Sequence, residues 1–261
     1  MSFGTDPRQR LTAFIPKEPS PGPWVYFLFG GSWMRGSVRT WSFVGNWFAH
    51  HGIPAVLGGY RLAPGHRFPA AFDDALAGYA FSLRHAEELG IEGRAPVLSG
   101  ASSGGHLAAL VALALARDGS RALDSEAVDG ASGLLLVNAA VDLMSARTRG
   151  GEAAIEALTG HGRPWPEADP LTLAASATLR AEAIPRTMLV QGEVDELVTP
   201  SGARAFADAL NAVAPGKAEV VGAPWRTHVE LTRLFLDRDP RLTTRVVDWL
   251  RAIGAPQPPA S

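Results

Sequence analysis

The segment that most constrains this chain is residues 97–114, where an apolar run meets the pattern Gly-x-Ser-x-Gly and continues into a helix-forming run. Strand, tight turn and helix in that order are the context of a nucleophile elbow, which exposes a serine on a strained turn. Gly100 and Gly104 flank Ser102 and suit a close approach of the strand and the helix. A glycine-rich turn with a serine N-cap is the simpler interpretation, and the five residues alone do not separate the two.

Length and composition are those of an ordinary globular protein. The 261 residues suffice for one large α/β domain or two small ones. The net charge of -2, without any basic block, argues against a nucleic-acid partner. The absence of cysteine excludes disulfides, thiolate metal sites and a cysteine nucleophile. Residues 1–10 lack the apolar core of a signal peptide, and no apolar run approaches about 18 residues, so we expect a cytoplasmic protein without a membrane span.

Apolar strands alternate with helices along the chain. We predict a short edge strand at 10–15 and buried strands at 24–29, 54–58, 95–99, 133–138, 187–191 and 218–222. We predict helices at 41–51, 70–89, from the elbow to about 117, at 201–213 and through 248–252. Strands that are apolar at nearly every position are typical of a parallel sheet that is covered on both faces. The prediction is therefore one doubly wound α/β domain over residues 1–261.

Residues 143–184 break this alternation. They are punctuated by glycine and proline and are compatible with one or two short helices. We therefore interpret them as an insertion, or a small partial lid, after the strand that ends near Asn138.

Glycine-containing turns follow three of the predicted strands, at residues 30–31, 100–105 and 192–195. Ligands of open α/β sheets bind at the carboxyl ends of the strands. These turns therefore predict the edge of the sheet that carries the site.

A serine nucleophile at neutral pH needs a base, and histidine is the side chain suited to that role. Histidine stands at positions 50, 51, 66, 85, 106, 161 and 228. His106 falls in the first turn of the helix after Ser102, where local packing or hydrogen bonding is the expected role. His228 alone follows the last predicted strand. The chain order serine, acid, histidine then places the acid between Ser102 and His228.

The segment 192–198 follows the strand that precedes the last one and offers three candidate acids. They are Glu193, Asp195 and Glu196. Asp142, after the preceding strand, is a fourth candidate. The order of residues alone leaves this choice open.

Four stretches resemble the α/β-hydrolase-fold serine esterases of the hormone-sensitive-lipase-like and bacterial feruloyl-esterase-like groups, over nearly the whole chain. Phe-Gly-Gly-Ser-Trp at 29–33 resembles the His-Gly-Gly-x-Trp loop of that family. Residues 60–71 resemble its Tyr-Arg-Leu-Ala-Pro-Glu-x-x-Phe-Pro-Ala-Ala run. Residues 100–105 resemble its elbow, and residues 192–198 its Gly-x-x-Asp segment. The resemblance implies an α/β-hydrolase fold.

The resemblance also implies the catalytic roles. It makes Ser102 the nucleophile, His228 the general base and then acid, and Asp195 the residue that holds the imidazole, because the family spacing Gly-x-x-Asp favours Asp195 over its glutamate neighbours. The oxyanion hole would be formed by the backbone N–H groups of Gly31, Ser32 and Ser103.

Two positions depart from the family pattern. Phe29 replaces a histidine that supports the loop, so packing must hold this loop instead. Gly65 replaces the glutamate of the Ala-Pro-Glu run. Neither position carries an atom that takes part in the chemistry.

The resemblance favours a serine carboxylic ester hydrolase that acts on small soluble esters through an acyl-enzyme, without a metal or cofactor. An aryl-formamidase is the alternative, because the Gly-Gly-x-Trp loop also resembles that group. A catalytically silent, ligand-binding hydrolase fold is the other alternative. The expected partner is a small-molecule ester or amide, with neither nucleic acid nor membrane, and a homodimer is left open.

Overall fold

A computed structural model describes residues 1–118, 130–146, 151–160, 166–175, 178–236 and 239–253. These residues form a seven-stranded sheet in the order β1-β3-β2-β4-β5-β6-β7. The strands are β1 (Leu11–Phe14), β2 (Trp24–Leu28), β3 (Ala55–Gly58), β4 (Pro96–Ala101), β5 (Gly133–Val137), β6 (Arg186–Gly192) and β7 (Ala218–Ala223). The edge strand β1 pairs with β3 antiparallel, and every other pairing in this sheet is parallel.

Helices connect the strands. They are α1 (Ser42–His50), α2 (Ala70–Arg84), α3 (Ser103–Asp118), α4 (Leu143–Ala146), α5 (Glu152–Thr159), α6 (Pro170–Ala174), α7 (Pro200–Val213), α8 (His228–Leu231) and α9 (Pro240–Arg251). Short 3-10 turns lie at Pro166–Ala168, Ala181–Ala183 and Thr232–Leu236. None of the helices within the described ranges has the length and apolar character needed to cross a bilayer.

The strands β2, β3 and β5 are buried at every position. Helix α3 contacts β2, β4 and β5, and α7 contacts β6 and β7. Because helices cover both faces of the parallel sheet, neither face of β2, β3 or β5 is exposed to water. This burial explains the continuous apolar runs from which the strands were predicted. The predicted α/β fold with a mostly parallel sheet is confirmed.

The helix boundaries differ from the prediction at several places. Helix α2 ends at Arg84 rather than near Leu89, and α9 begins at Pro240, well before residue 248. The early start of α9 follows from Asp239, whose side chain accepts a hydrogen bond from the backbone of Leu242 and caps the helix. The short helix α8 was not predicted.

The described part of the region 143–184 contains three short helices, α4 to α6, where one or two were expected. Residues 147–150, 161–165 and 176–177 of this region lie outside the described residues. Asp169 caps α6 by accepting a hydrogen bond from the backbone of Thr172, with Pro170 at the first helical position.

The elbow between β4 and α3 holds the serine in a conformation that non-glycine residues seldom adopt. Ser102 has a φ of 52°. A Cβ on Gly100 would collide with the backbone of Gly104, and a Cβ on Gly104 would collide with the backbone oxygen of Leu28. The two glycines are therefore required by the close approach of β4, α3 and β2.

We predict that Gly104→Ala lowers the free energy of unfolding by about 2 kcal/mol or more, because the methyl group has only rigid backbone to displace. Gly130→Ala is the matched control, since a Cβ there meets no atom of the described residues within 4 Å. Urea denaturation of both variants measures the difference. Equal midpoints for the two variants would show that the elbow is not tightly packed.

Candidate active site

Three side chains from distant parts of the chain form one hydrogen-bonded row. The Nε2 atom of His228 lies 2.9 Å from Oγ of Ser102. The Nδ1 atom of His228 lies 2.8 Å from Oδ2 of Asp195. Because a carboxylate can only accept, the Nδ1–H group donates to Asp195 and leaves Nε2 free to accept from the serine hydroxyl.

The topology of the sheet explains why these residues meet. Ser102 follows β4, Asp195 follows β6 and His228 follows β7. Strands β4 to β7 are neighbours and run parallel, so their carboxyl ends lie at one edge of the sheet. This is the edge at which ligands of α/β sheets bind.

The carboxylate of Asp195 is buried, with 3% of the residue exposed. Its Oδ1 atom accepts hydrogen bonds of 2.9 Å from the backbone N–H groups of Leu197 and Val198. The amide of Gln191 lies 3.5 Å from Oδ2 and donates at 3.0 Å to the carbonyl of Val198. These contacts fix the orientation of the carboxylate and leave Oδ2 facing the imidazole.

The other candidate acids are not part of this hydrogen-bonded row. Glu193 and Glu196 are exposed. Asp142 accepts a hydrogen bond from the backbone N–H of Ser145 at the start of α4. Of the four acids, Asp195 is the one that the structure places against His228.

His228 is the first residue of α8, and a capping box positions it. The side chain of Thr227 accepts from the backbone of Glu230, and the side chain of Glu230 accepts from the backbone of Thr227. Thr-x-x-Glu is a recognised helix-start pattern. This pattern could have predicted α8 from the sequence.

We call residues 30–36 the oxyanion loop. Gly31, Ser32 and Trp33 have φ values of 146°, 54° and 59°. The backbone N–H groups of Gly31, Ser32 and Ser103 donate to no other group among the described residues, and all three residues line the cavity beside Ser102. They are therefore available to an oxygen that approaches the serine.

Packing holds the base of the oxyanion loop, as the replacement of the family histidine by Phe29 requires. The Phe29 ring stacks on the Tyr60 ring at a centroid separation of 4.3 Å. The Tyr60 hydroxyl donates a hydrogen bond of 2.6 Å to the carbonyl oxygen of Phe29. Burial raises the pKa of Tyr60, so the phenol keeps its proton. Gly65 is exposed.

His106 supports the same loop from another direction. The indole N–H of Trp33 donates to Nδ1 of His106 at 3.1 Å, and Nε2 of His106 donates to the carbonyl of Ala168 at 2.7 Å. This pattern requires the neutral imidazole with its proton on Nε2. Burial lowers the pKa of His106 to about 4, and the Ala168 carbonyl opposes that shift only in part. The expected role of His106 in local packing and hydrogen bonding is confirmed.

The other histidines that the structure describes lie away from this row. His50 and His66 are exposed. His51 contacts the carbonyl of Trp47, and His85 contacts the side chain of Glu88. His161 lies outside the described residues.

Asn138 is a residue of the site that the sequence analysis did not single out. Its side-chain amide donates to the carbonyl of His228 at 3.0 Å, and its side-chain oxygen accepts from the backbone N–H of Gly192 at 2.9 Å. The residue is buried and has a φ of 42°, a conformation that asparagine tolerates better than most residues. One side chain thus joins the ends of β5 and β6 to the segment that carries His228.

A cavity of about 660 Å³ opens above Ser102 and His228. Its apolar walls come from the oxyanion loop, the residue before α1, α5, the segment after β6 and α8, and include Trp33, Trp41, Ile155, Leu197, Val198 and Val229. Among the described residues no group of three side chains could hold a metal ion.

The comparisons with known proteins agree with this architecture. The sequence profile of the alpha/beta hydrolase fold family matches residues 25–230. The chain is 38% identical over 107 residues to an ethyl acetate hydrolase of Pseudomonas putida, and 34% identical over 112 residues to arylacetamide deacetylase of Mus musculus. It is also similar in fold to the crystal structure of esterase LipW from Mycobacterium marinum, with a TM-score of 0.74 and 24% identity over 94% of this chain and 77% of that one.

The two curated relatives are matched only in part. The alignments cover 40% of this chain in both cases, and they span 34% of the Pseudomonas protein and 28% of the mouse protein.

We predict that Asn138→Asp lowers kcat about tenfold or more, because an aspartate keeps the acceptor for Gly192 but places a carboxylate against the carbonyl of His228 and displaces the imidazole. Asn211→Asp is the matched control, since Asn211 makes the same pair of hydrogen bonds to the backbone of Ala218 away from the site. Turnover and melting temperature are measured for both variants. A loss of stability without a larger loss of turnover in Asn138→Asp would contradict the prediction.

We predict that the free energy of unfolding falls as the pH is lowered from about 6.5 towards 4. The folded-state pKa of His106, about 4, lies below its ordinary value of 6.5. The unfolded chain therefore binds this proton at a higher pH, and protonation favours unfolding by on the order of 3 kcal/mol over that interval. Denaturation curves of the wild type and His106→Gln at pH 7 and pH 4.5 measure the effect. An equally steep pH dependence in His106→Gln would assign it to other groups.

Proposed function

This chain belongs to the alpha/beta hydrolase fold family, and from that membership we propose that it is a serine carboxylic ester hydrolase that acts on small soluble esters through an acyl-enzyme intermediate. The observation that carries the proposal is the row in which His228 contacts Ser102 at 2.9 Å and Asp195 at 2.8 Å. A serine hydroxyl becomes nucleophilic when such a base takes its proton.

The first half of the proposed reaction forms the acyl-enzyme. Oγ of Ser102 attacks the carbonyl carbon of the ester while Nε2 of His228 takes the hydroxyl proton. The carbonyl oxygen becomes an oxyanion and accepts hydrogen bonds from the backbone N–H groups of the oxyanion loop and Ser103. The intermediate then expels the alcohol, which receives its proton from Nε2 of His228.

The second half returns the free enzyme. Water enters the cavity, gives a proton to Nε2 of His228 and attacks the acyl carbon. Oγ of Ser102 leaves with the proton from His228, and the carboxylic acid is released. Asp195 holds Nδ1–H in both halves, so Nε2 is the atom that exchanges protons.

The names of the relatives and the size of the cavity support an ester of modest size. The Pseudomonas relative is an ethyl acetate hydrolase, whose name describes a short ester. A cavity of about 660 Å³ falls in the range of small-molecule sites. The apolar walls suit the hydrocarbon parts of such a substrate.

An amide substrate is the second candidate, and the mouse relative favours it by its name, arylacetamide deacetylase. The same attack on an aryl formamide would expel an amine that takes its proton from His228. A comparison of kcat/KM for short 4-nitrophenyl esters with kcat/KM for N-formyl-kynurenine distinguishes the ester hydrolase from the aryl-formamidase.

We predict that Ser102→Ala and His228→Ala each lower kcat for a short 4-nitrophenyl ester by on the order of 10⁴-fold. The kcat of the double variant should be only slightly lower than that of either single variant. A fluorophosphonate should label the wild type on Ser102, as peptide mass spectrometry would show. His85→Ala is the matched control, because His85 pairs with Glu88 away from the site. Esterase activity that survives in a folded Ser102→Ala protein would overturn the proposal, because it would show that Ser102 is not the nucleophile. Absence of any turnover and labelling in the wild type would favour the silent, ligand-binding alternative.

A further inference from the structure

The cavity above Ser102 has a cationic residue in its wall that the proposed reaction does not use. Arg35 lines the same cavity as Ser102 and His228. A turn within the oxyanion loop brings Arg35 next to Gly31, since the backbone N–H of Arg35 donates a hydrogen bond of 3.1 Å to the carbonyl of Gly31. Its Cγ atom lies 3.2 Å from the place that a Cβ on Gly31 would occupy. The side chain of Arg35 therefore begins beside Gly31, one of the residues whose backbone N–H groups are available to an oxyanion.

The charge of Arg35 has no partner within the described part of the chain. Other arginines are paired with carboxylates, for example Arg61 with Asp74 and Arg245 with Glu219. Arg35 forms neither a hydrogen bond from its guanidinium nor an ion pair with any described residue. No aspartate or glutamate of the described residues lines the cavity. An anion that enters the cavity therefore meets no repelling carboxylate among the described residues of its wall.

The rest of the cavity wall indicates what kind of molecule would carry that anionic group. Trp41, Ile155, Leu197 and Val229 present apolar surface, and the polar lining beyond the proposed catalytic residues comes from hydroxyl groups such as those of Thr40 and Thr232. The described residues thus give an apolar wall with one unpaired cation, and such a wall suits a molecule with a hydrocarbon body and one negative charge.

We propose that Arg35 makes this site selective for esters that carry a carboxylate on the part of the molecule away from the scissile bond. The inference rests on the proposed function, because it names the substrate class of the same site. The guanidinium attracts the carboxylate as the ester enters and holds it while Ser102 attacks, and its planar donors match the two carboxylate oxygens.

Two pairs of matched substrates test the proposal, one for each side of the ester. The acyl side is probed with the 4-nitrophenyl monoester of adipic acid against 4-nitrophenyl hexanoate. The alcohol side is probed with 4-acetoxybenzoate against 4-acetoxybenzamide. For each pair the quantity compared is kcat/KM for the anionic ester divided by kcat/KM for the neutral one. Differences in intrinsic reactivity cancel when this ratio is compared between the wild type and a variant.

The variants are Arg35→Gln, Arg35→Lys and Arg35→Glu, with Arg39→Gln as the matched control. Arg39 is exposed, lies on the same segment and does not line the cavity, so its replacement removes the same charge from a neighbouring position. For at least one pair we expect Arg35→Gln to lower the ratio about five- to tenfold and Arg35→Glu to lower it further. Arg35→Lys should lower the ratio less than Arg35→Gln, because it keeps the positive charge but not the planar guanidinium. Raising the salt concentration from about 0.05 to 0.5 M should lower the ratio of the wild type more than that of Arg35→Gln.

A ratio that is unchanged in Arg35→Gln for both pairs overturns the inference, and so does an equal loss in Arg39→Gln, which would assign the effect to net charge. The proposed function is judged separately by the neutral esters. Wild-type turnover of the neutral esters with no dependence of the ratio on Arg35 refutes the substrate class and leaves the ester hydrolase standing. Absence of turnover of every ester refutes the ester hydrolase itself.

Discussion

The site depends on the close approach of three backbones at the elbow. Ser102 keeps a φ of 52° because β4 and α3 meet at Gly100 and Gly104, and because Gly104 in turn lies against the carbonyl of Leu28 at the end of β2. A non-glycine residue in this region of φ and ψ is strained, and it persists only where the surroundings leave no alternative. The same approach brings the oxyanion loop, which follows β2, next to the serine: a Cβ on Gly30 would lie 3.2 Å from the Cβ of Ser102. The contact that strains the serine therefore also places the oxyanion loop.

A buried carboxylate beside an imidazole is costly unless its lone pairs are satisfied. Asp195 meets this requirement through two backbone N–H groups on one oxygen and the imidazole on the other. The neighbouring carbonyls are satisfied as well, because Gln191 donates to Val198 and Asn138 donates to His228. These side chains connect the ends of β5 and β6 with the segment after β7. The network thus fixes the acid and the base relative to each other, although they come from separate loops.

Local patterns in the sequence were sufficient to predict the sheet and the elbow. Continuous apolar runs and Gly-x-Ser-x-Gly are each made of residues that are neighbours in the chain. The candidates His228 and Asp195 followed from chain order and family spacing, and the structure brings both together with Ser102. Asn138 could not be found in this way, because its partners, Gly192 and His228, are far away in sequence and are bound through backbone atoms that carry no residue signature. The contact of His106 with the carbonyl of Ala168 could not be predicted either, because it too joins residues far apart in sequence through a backbone atom. By contrast, the capping box that starts α8 is local, so the sequence did contain the signal for that helix.

The oxyanion loop has three consecutive residues with positive φ, two of which are not glycine, so its conformation must be maintained by its surroundings. Phe29 and Tyr60 hold the start of the loop by stacking and by a hydrogen bond to the Phe29 carbonyl, and His106 holds Trp33 within the loop. Both supports come from buried groups that keep one protonation state at neutral pH, since burial raises the pKa of Tyr60 and lowers that of His106. Tyr60 therefore remains a donor and Nδ1 of His106 remains an acceptor. N–H groups that are fixed in advance need no reorganisation when an oxyanion forms, and this is the physical condition under which hydrogen bonds to a transition state are most effective.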